Sequence, residues 1–233
     1  MNPPRLRVLI FDFNGVIADD ESTHFLAFQQ ALAEEGITLT KEEYYGPYLG
    51  MDERTCTAAL LESATGKSDP VRARRIAERK AAVFTSLTAT RKPPLFPGVV
   101  DLVRQAGECY RLAIASGGRR EQIEFALRDT PIENSFSVLV SAEDVPVGKP
   151  DPAIYRQVLE KINTREPRPN PLIEPAECLV IEDSLAGIQA AANAGMKVVA
   201  VATTYPPPQL TAAHLVLENL EGASVDLLES RLK

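Results

Sequence analysis

The sequence has no tryptophan, three cysteines, two histidines and no surplus of basic residues, and each shortage narrows the possible functions. Cys56, Cys109 and Cys178 are odd in number and far apart, and no pair has the short spacing of a zinc or redox motif. They read as small buried or half-buried residues. With 25 Lys and Arg against 32 Asp and Glu, the net charge is −7, which argues against a nucleic acid partner. No stretch approaches the ~20 apolar residues of a membrane span. The apolar run Val8-Leu9-Ile10-Phe11 is too short for a signal-peptide core and stops at Asp12. The expectation is a soluble cytoplasmic protein that works as a monomer.

What is present is an ordinary globular composition, 45% hydrophobic and 24% charged, in a chain long enough for a full core plus a small second domain. Five short apolar runs predict strands: Leu6–Phe11, Arg111–Ala115, Ser137–Val140, Cys178–Ile181 and Lys197–Val201. They lack polar alternation, as strands covered on both faces do. Helical patterns at Glu121–Arg128, Pro152–Ile162 and Ser184–Ala194 lie between them, and this alternation implies crossover units in a parallel sheet. Residues 20–92 break the rhythm with helical periodicity over Phe25–Glu35, Glu53–Glu62 and Val71–Ser86. The reading is an α/β fold whose core comprises 1–19 and 93–233, with 20–92 inserted as a helical cap. The proline-rich stretch 163–176 reads as a surface connector. The run Arg72, Arg74, Arg75, Arg79, Lys80 reads as a solvated cap-helix face, with anion capture as the alternative.

Four segments carry chemistry, at or shortly after predicted strand ends, where loops of open parallel sheets converge on ligands. They are Asp12-Phe13-Asn14-Gly15-Val16, Ser116-Gly117-Gly118, Gly148-Lys149-Pro150 and Glu182-Asp183-Ser184. Asp12, Glu182 and Asp183 would bring three carboxylates into one cleft, which is costly unless a cation sits among them. Oxygen ligands without His or Cys favour Mg²⁺. Ser116 offers a hydroxyl, Gly117 an unhindered N–H and Lys149 a point charge, all suited to phosphate oxygens. A carboxylate such as Asp12 can then attack phosphorus.

These four segments, in this order, resemble the signature motifs of the haloacid dehalogenase superfamily. Ile181-Glu182-Asp183-Ser184-Leu185-Ala186-Gly187-Ile188-Gln189-Ala190, Leu95-Phe96-Pro97-Gly98-Val99 and Gly148-Lys149-Pro150-Asp151-Pro152 resemble its β-phosphoglucomutase-like branch. The resemblance spans essentially the whole chain, most loosely in the cap. It implies a Rossmann-like core, a helical cap, Mg²⁺ as cofactor and a small phosphorylated substrate. It implies Asp12 as nucleophile and metal ligand, and metal contacts from the Asn14 backbone carbonyl, Asp183 and Glu182. Ser116 and Lys149 would hold the transferring phosphate. His24 falls where that branch has a cap-side histidine, or else merely opens a cap helix. Arg119 either contacts substrate at the rim or is a solvated helix-start arginine. Glu53-Arg54 lies near the branch's phosphate-gripping arginine, shifted by one.

One departure matters. The family's phosphatases and mutases mostly carry a second Asp two residues after the nucleophile, as general acid and base, and this chain has Asn14. An amide cannot exchange that proton, although its backbone carbonyl still binds a metal. Such catalysis contributes ~10²–10⁴-fold, so hydrolysis of ordinary esters is expected to be handicapped. Substrates with good leaving groups, or an acid borrowed from His24 or Asp20, would restore turnover. A phosphohydrolase, a β-phosphoglucomutase-like mutase and a catalytically weak phosphate-binding protein therefore stand as the readings.

Overall fold

The computed structural model describes residues 5–232; residues 1–4 and 233, assigned above to the core, lie outside them. The chain opens with β1 (Val8–Phe11) and then forms four helices: α1 (Glu21–Ala33), α2 (Lys41–Glu43), α3 (Glu53–Thr65) and α4 (Pro70–Thr88). It continues through α5 (Val99–Gly107), β2 (Arg111–Ala115), α6 (Arg120–Leu127), β3 (Val138–Val140) and α7 (Ala153–Thr164). It closes with β4 (Cys178–Glu182), α8 (Leu185–Asn193), β5 (Lys197–Val201), β6 (Leu215–Leu217) and α9 (Val225–Arg231). Among the described residues no helix is long and apolar enough to cross a membrane.

All six strands are parallel, in the spatial order β3-β2-β1-β4-β5-β6. Ile10 of β1 lies opposite Ala113 of β2 on one side and Val180 of β4 on the other. The connection order reverses beside β1, so the carboxyl ends of β1 and β4 flank a crevice, the usual ligand position in such sheets. Alternate residues feed two apolar layers. Leu9, Phe11 and Ile181 meet Leu102 and Val103 of α5 and Ile123 of α6. Val8, Ile10 and Val180 meet Tyr155 and Val158 of α7 and Ile188 of α8. Coverage of both faces is why these strands read as unbroken apolar runs.

Helices α1, α3 and α4 share a separate apolar cluster that includes Phe28, Leu32, Leu60, Leu61 and Ile76. Asp52 caps α3 by accepting from the Arg54 and Thr55 N–H groups, and Asp69 caps α4 ahead of Pro70. The two chain segments joining these helices to the sheet run side by side. The Asp19 N–H donates to the Pro94 carbonyl at 2.9 Å, and the Phe96 N–H to the Ile17 carbonyl at 2.9 Å.

The strands and helices predicted from sequence are present within a few residues of the expected ends. Four further elements are α2, α5, α9 and the edge strand β6. Three half-buried residues paired on one side only leave too little periodicity for β6 to be legible. Cys56 and Cys178 are buried as expected, and burial pushes both thiols up to about 12; Cys109 is exposed, a correction.

Candidate active site

The sheet carries Asp12 at the end of β1, Ser116 at the end of β2 and Asp183 at the end of β4, with Lys149 on the loop after β3. The Asp12 N–H still follows the ladder, donating to the Ile181 carbonyl at 2.9 Å. Helices α1, α3 and α4 lie over these ends, and a small chamber remains between them. Its lining includes Asp12, Asn14, His24, Gly117, Lys149 and Asp183. It leaves about 70 Å³ reachable by the centre of a water molecule, room for roughly five waters at ~10–15 Å³ each. Three expected site residues lie outside that lining. Ser116 and Glu182 are buried behind the wall, and Arg119 borders the next cavity.

Lys149 organises the core side. Its Nζ lies 2.9 Å from Asp12 Oδ1 and 2.6 Å from Glu182 Oε1, and it donates to the Ala115 carbonyl at 3.3 Å. Burial works against the ammonium, but the two carboxylates hold its pKa well above the ordinary value. Glu182 is saturated. Oε1 accepts from Lys149 and from the Tyr155 hydroxyl at 2.9 Å. Oε2 accepts from the Asp183 and Ser184 N–H groups at 2.8 and 2.9 Å and from the Ser184 hydroxyl at 3.0 Å. Burial pushes its carboxyl up, and Lys149 and these donors outweigh that, leaving it lowered. Gly187 permits the arrangement, since a Cβ there would overlap Glu182 Oε1.

Asp12 and Asp183 behave differently. Burial raises Asp12 to about 7, with Lys149 opposing and Glu182 adding. Burial, Glu182 and Asp12 together raise Asp183 well above its usual range. Ligand atoms of Asp12, Glu182 and Asp183 all lie within 4.8 Å of one another, with the Lys149 ammonium at Asp12 Oδ1. Oxygen-only donors that repel one another at this range suit a hard dication. Because both Glu182 oxygens are engaged, Asp12 and Asp183 are the carboxylates left to bind it. Thr204 donates its hydroxyl to Asp183 Oδ2, and Thr203 donates to the Gly15 carbonyl. Neither threonine has a sequence signal beyond following β5.

Asn14 sits where both walls meet. Its Oδ1 accepts from the Ser116 hydroxyl at 3.2 Å, while Nδ2 donates to Asp20 Oδ2 at 2.8 Å and lies 3.1 Å from His24 Nε2. The Gly118 N–H donates to Ser116 Oγ at 3.0 Å. His24 opens α1 and also lines the chamber, so its two expected placements coincide. Its ring stacks on Phe84, with centroids 4.2 Å apart, and Nδ1 lies 2.7 Å from Lys80 Nζ. Lys80 is 2% exposed and donates to Glu53 Oε2 at 2.9 Å. Arg119 binds Glu53 Oε1 through Nε at 2.7 Å.

The basic run on α4 therefore splits. Arg72 and Arg75 pair with Glu35, Arg79 with Glu34 and Arg74 with Glu78 on the outer face. Lys80 alone of this run turns inward, against the expectation of a solvated face. The signal was available, because Ala73, Ile76, Ala77, Lys80, Ala81 and Phe84 form one buried helical stripe.

The model of the haloacid dehalogenase-like hydrolases matches residues 6–195. The chain belongs to that family. Among curated proteins, this family member is 32% identical to the phosphorylated carbohydrates phosphatase of Thermotoga maritima, over 82% of this chain and 83% of that one. It is 27% identical to the β-phosphoglucomutase of Bacillus subtilis, over 96% and 94% of the two chains. Among solved structures, it matches a mutant of CbbY from Rhodobacter sphaeroides in complex with xylulose-(1,5)bisphosphate, at TM-score 0.81 and 26% identity. That likeness covers 95% of this chain and 98% of CbbY. The chain is thus an enzyme of the haloacid dehalogenase-like hydrolases, with named phosphatases and a phosphomutase among its relatives, on the expected Rossmann-like parallel sheet.

Proposed function

We propose that the chain is a Mg²⁺-dependent phosphohydrolase of a small phosphorylated metabolite that carries the phosphoryl group on Asp12. The observation that supports this is the meeting of Asp12, Asp183 and Lys149 in one closed chamber. Asp12 is the nucleophile: its carboxylate oxygen bonds to phosphorus while the bond to the leaving oxygen breaks. Water then attacks the phosphorus, freeing Asp12 and inorganic phosphate. Lys149 holds the transferring phosphate and keeps Asp12 oriented, and Gly117 offers its N–H beside it. The Ser116 hydroxyl turns from Asn14 to the phosphate.

Asp12, Asp183 and the backbone carbonyl of Asn14 would hold Mg²⁺, which would supply positive charge for an anionic carboxylate to approach an anionic phosphate. Glu182 stands behind these groups and orients Lys149 and the Asp183 loop. The leaving oxygen still needs a proton that Asn14 cannot give. Asp20 and His24, both within 3.1 Å of Asn14 Nδ2, are the nearest groups able to give one. Acyl phosphates, whose leaving group needs no proton, should be the better substrates.

Asn14 favours a second reading, a catalytically weak phosphate-binding protein. Incubation with Mg²⁺ and acetyl phosphate or p-nitrophenyl phosphate, beside an Asp12→Ala control, separates the two. Turnover that the substitution abolishes supports the hydrolase. Equal background rates in both proteins would leave the binder.

A further inference from the structure

The loop that follows β5 touches three parts of the site in three consecutive residues. Thr203 donates its hydroxyl to the Gly15 carbonyl, Thr204 to Asp183 Oδ2, and Tyr205 to the Leu49 carbonyl at 3.0 Å. Gly15 belongs to the loop of Asp12 and Asn14, and Asp183 is one of the two carboxylates left to bind an ion. Leu49 lies in the cap, shortly before α3. The loop itself has little freedom. The Ala202 N–H donates to the Leu217 carbonyl of β6 at 2.8 Å. Pro206, Pro207 and Pro208 follow, fixing their own φ angles and restricting the Tyr205 backbone.

At the core end, the loop fixes a carboxylate. Among the described residues Thr204 is the one donor to the Asp183 side chain. That bond sets the rotation of the carboxylate and leaves Oδ1 for other partners. Gly15 permits the placement, since a Cβ there would overlap Asp183 Oδ2. At the cap end, the Tyr205 ring packs on the cap cluster that holds Phe28, Leu32 and Leu60, and on the core cluster that holds Tyr155 and Ile188. Gly50, next to Leu49, lies against Ser184, next to Asp183: a Cβ on Gly50 would come within 2.8 Å of Ser184 Cβ. Gly50, Met51, Asp183 and Ser184 all line the chamber. The cap therefore comes down on the Asp183 turn, and the Tyr205 hydroxyl bonds it there.

We infer that Thr204 and Tyr205 are positioning residues that join the metal site to the cap, so that a dication at Asp183 and a seated cap favour each other. Asp183 held on an ion holds Thr204, and the adjacent Tyr205 then presents its hydroxyl to Leu49. Such coupling is reciprocal: the factor by which the ion favours the seated cap is the factor by which the seated cap favours the ion. This rests on the Mg²⁺ site proposed above and needs no turnover.

The test measures Mg²⁺ binding to the full chain by calorimetry without substrate, and hydrogen exchange at the amides of residues 49–51 with and without the ion. Thr204→Val should weaken Mg²⁺ binding about tenfold or more, the usual effect of removing a hydrogen bond that orients a metal-binding carboxylate. Thr204→Ser, which keeps the hydroxyl, should restore it. Mg²⁺ should slow exchange at 49–51 in the unmutated chain. Tyr205→Phe, which keeps the ring and its packing, should abolish that slowing and weaken Mg²⁺ binding as well. Unchanged Mg²⁺ affinity in Thr204→Val, a loss that Thr204→Ser does not recover, or equal slowing in Tyr205→Phe overturns the inference while the metal site stands. An unmutated chain that binds no Mg²⁺ would take down the metal reading and the inference with it.

Discussion

Among single residues, the Lys149–Glu182 pair and Asn14 decide most. Lys149 and Glu182 are buried together, and each is tolerable only because the other is present. Lys149→Met should therefore lower stability by about 3–5 kcal/mol, the usual result of stranding one member of a buried pair. Denaturant midpoints with an unchanged slope would register it, and a shift below about 1 kcal/mol would contradict the pairing argument. Asn14→Asp should raise kcat/KM on sugar phosphate esters on the order of 10²-fold, because a carboxyl can supply the missing proton. Acetyl phosphate should respond far less. The new carboxylate would stand where Nδ2 now donates to Asp20 Oδ2 at 2.8 Å, so like charges would compete. Adding Asp20→Asn should enlarge the gain; a loss instead would give Asp20 a role of its own in proton transfer.

Between elements, the loop after β3 is tied to two helices by one carboxylate. Asp144 accepts from Arg120 of α6 at 2.7 Å, from Lys161 of α7 at 2.8 Å and from the Ser141 N–H at 2.8 Å. Burial pushes its carboxyl up, and Lys161, Ser141 and Arg120 together outweigh this and hold it well below the usual range. A carboxyl depressed on folding stabilises fully above its unfolded pKa of ~3.9 and loses that contribution as pH falls toward the folded value. Asp144→Asn should thus cost about 0.5–1 kcal/mol at neutral pH, discounted for solvent screening. It should also flatten the fall in stability below ~pH 4. Thermal melts across that range would check it, and parallel curves for the two proteins would refute it.

Across the whole chain, the chamber exists only where two separately packed layers meet. Asp12, Asp183 and Lys149 come from the sheet, and His24, Asp52, Glu53 and Lys80 from the helices above. Ligands that bridge the layers should stabilise the fold by mass action, about 2.7 kcal/mol at a hundredfold excess over Kd. For a chain of this size that is roughly 5–10 °C in Tm, at ~2–4 °C per kcal/mol. Mg²⁺ with inorganic phosphate should give this shift, a chelator should remove it, and Asp183→Asn should not show it. An equal shift in Asp183→Asn would place the ion elsewhere.

Five of the six strands and the longer helices are legible in the sequence, because apolar runs and helical stripes are local patterns that burial enforces. So are the four candidate segments, because Asp12, Ser116, Lys149 and Asp183 each belong to a short motif at or soon after a strand end. How those groups share their protons and charges was not legible, and packing in three dimensions set it. Packing surrounded Glu182 with donors, joined Asn14 to Asp20, sent Arg54 away from the cleft and brought Glu53 to the inward-facing Lys80. The side chains that meet Lys80, and Lys149 and Tyr155 where they meet Glu182, lie 27–56 residues away in the chain. Such contacts depend on how helices and strands aim their side chains in space, which local periodicity does not encode.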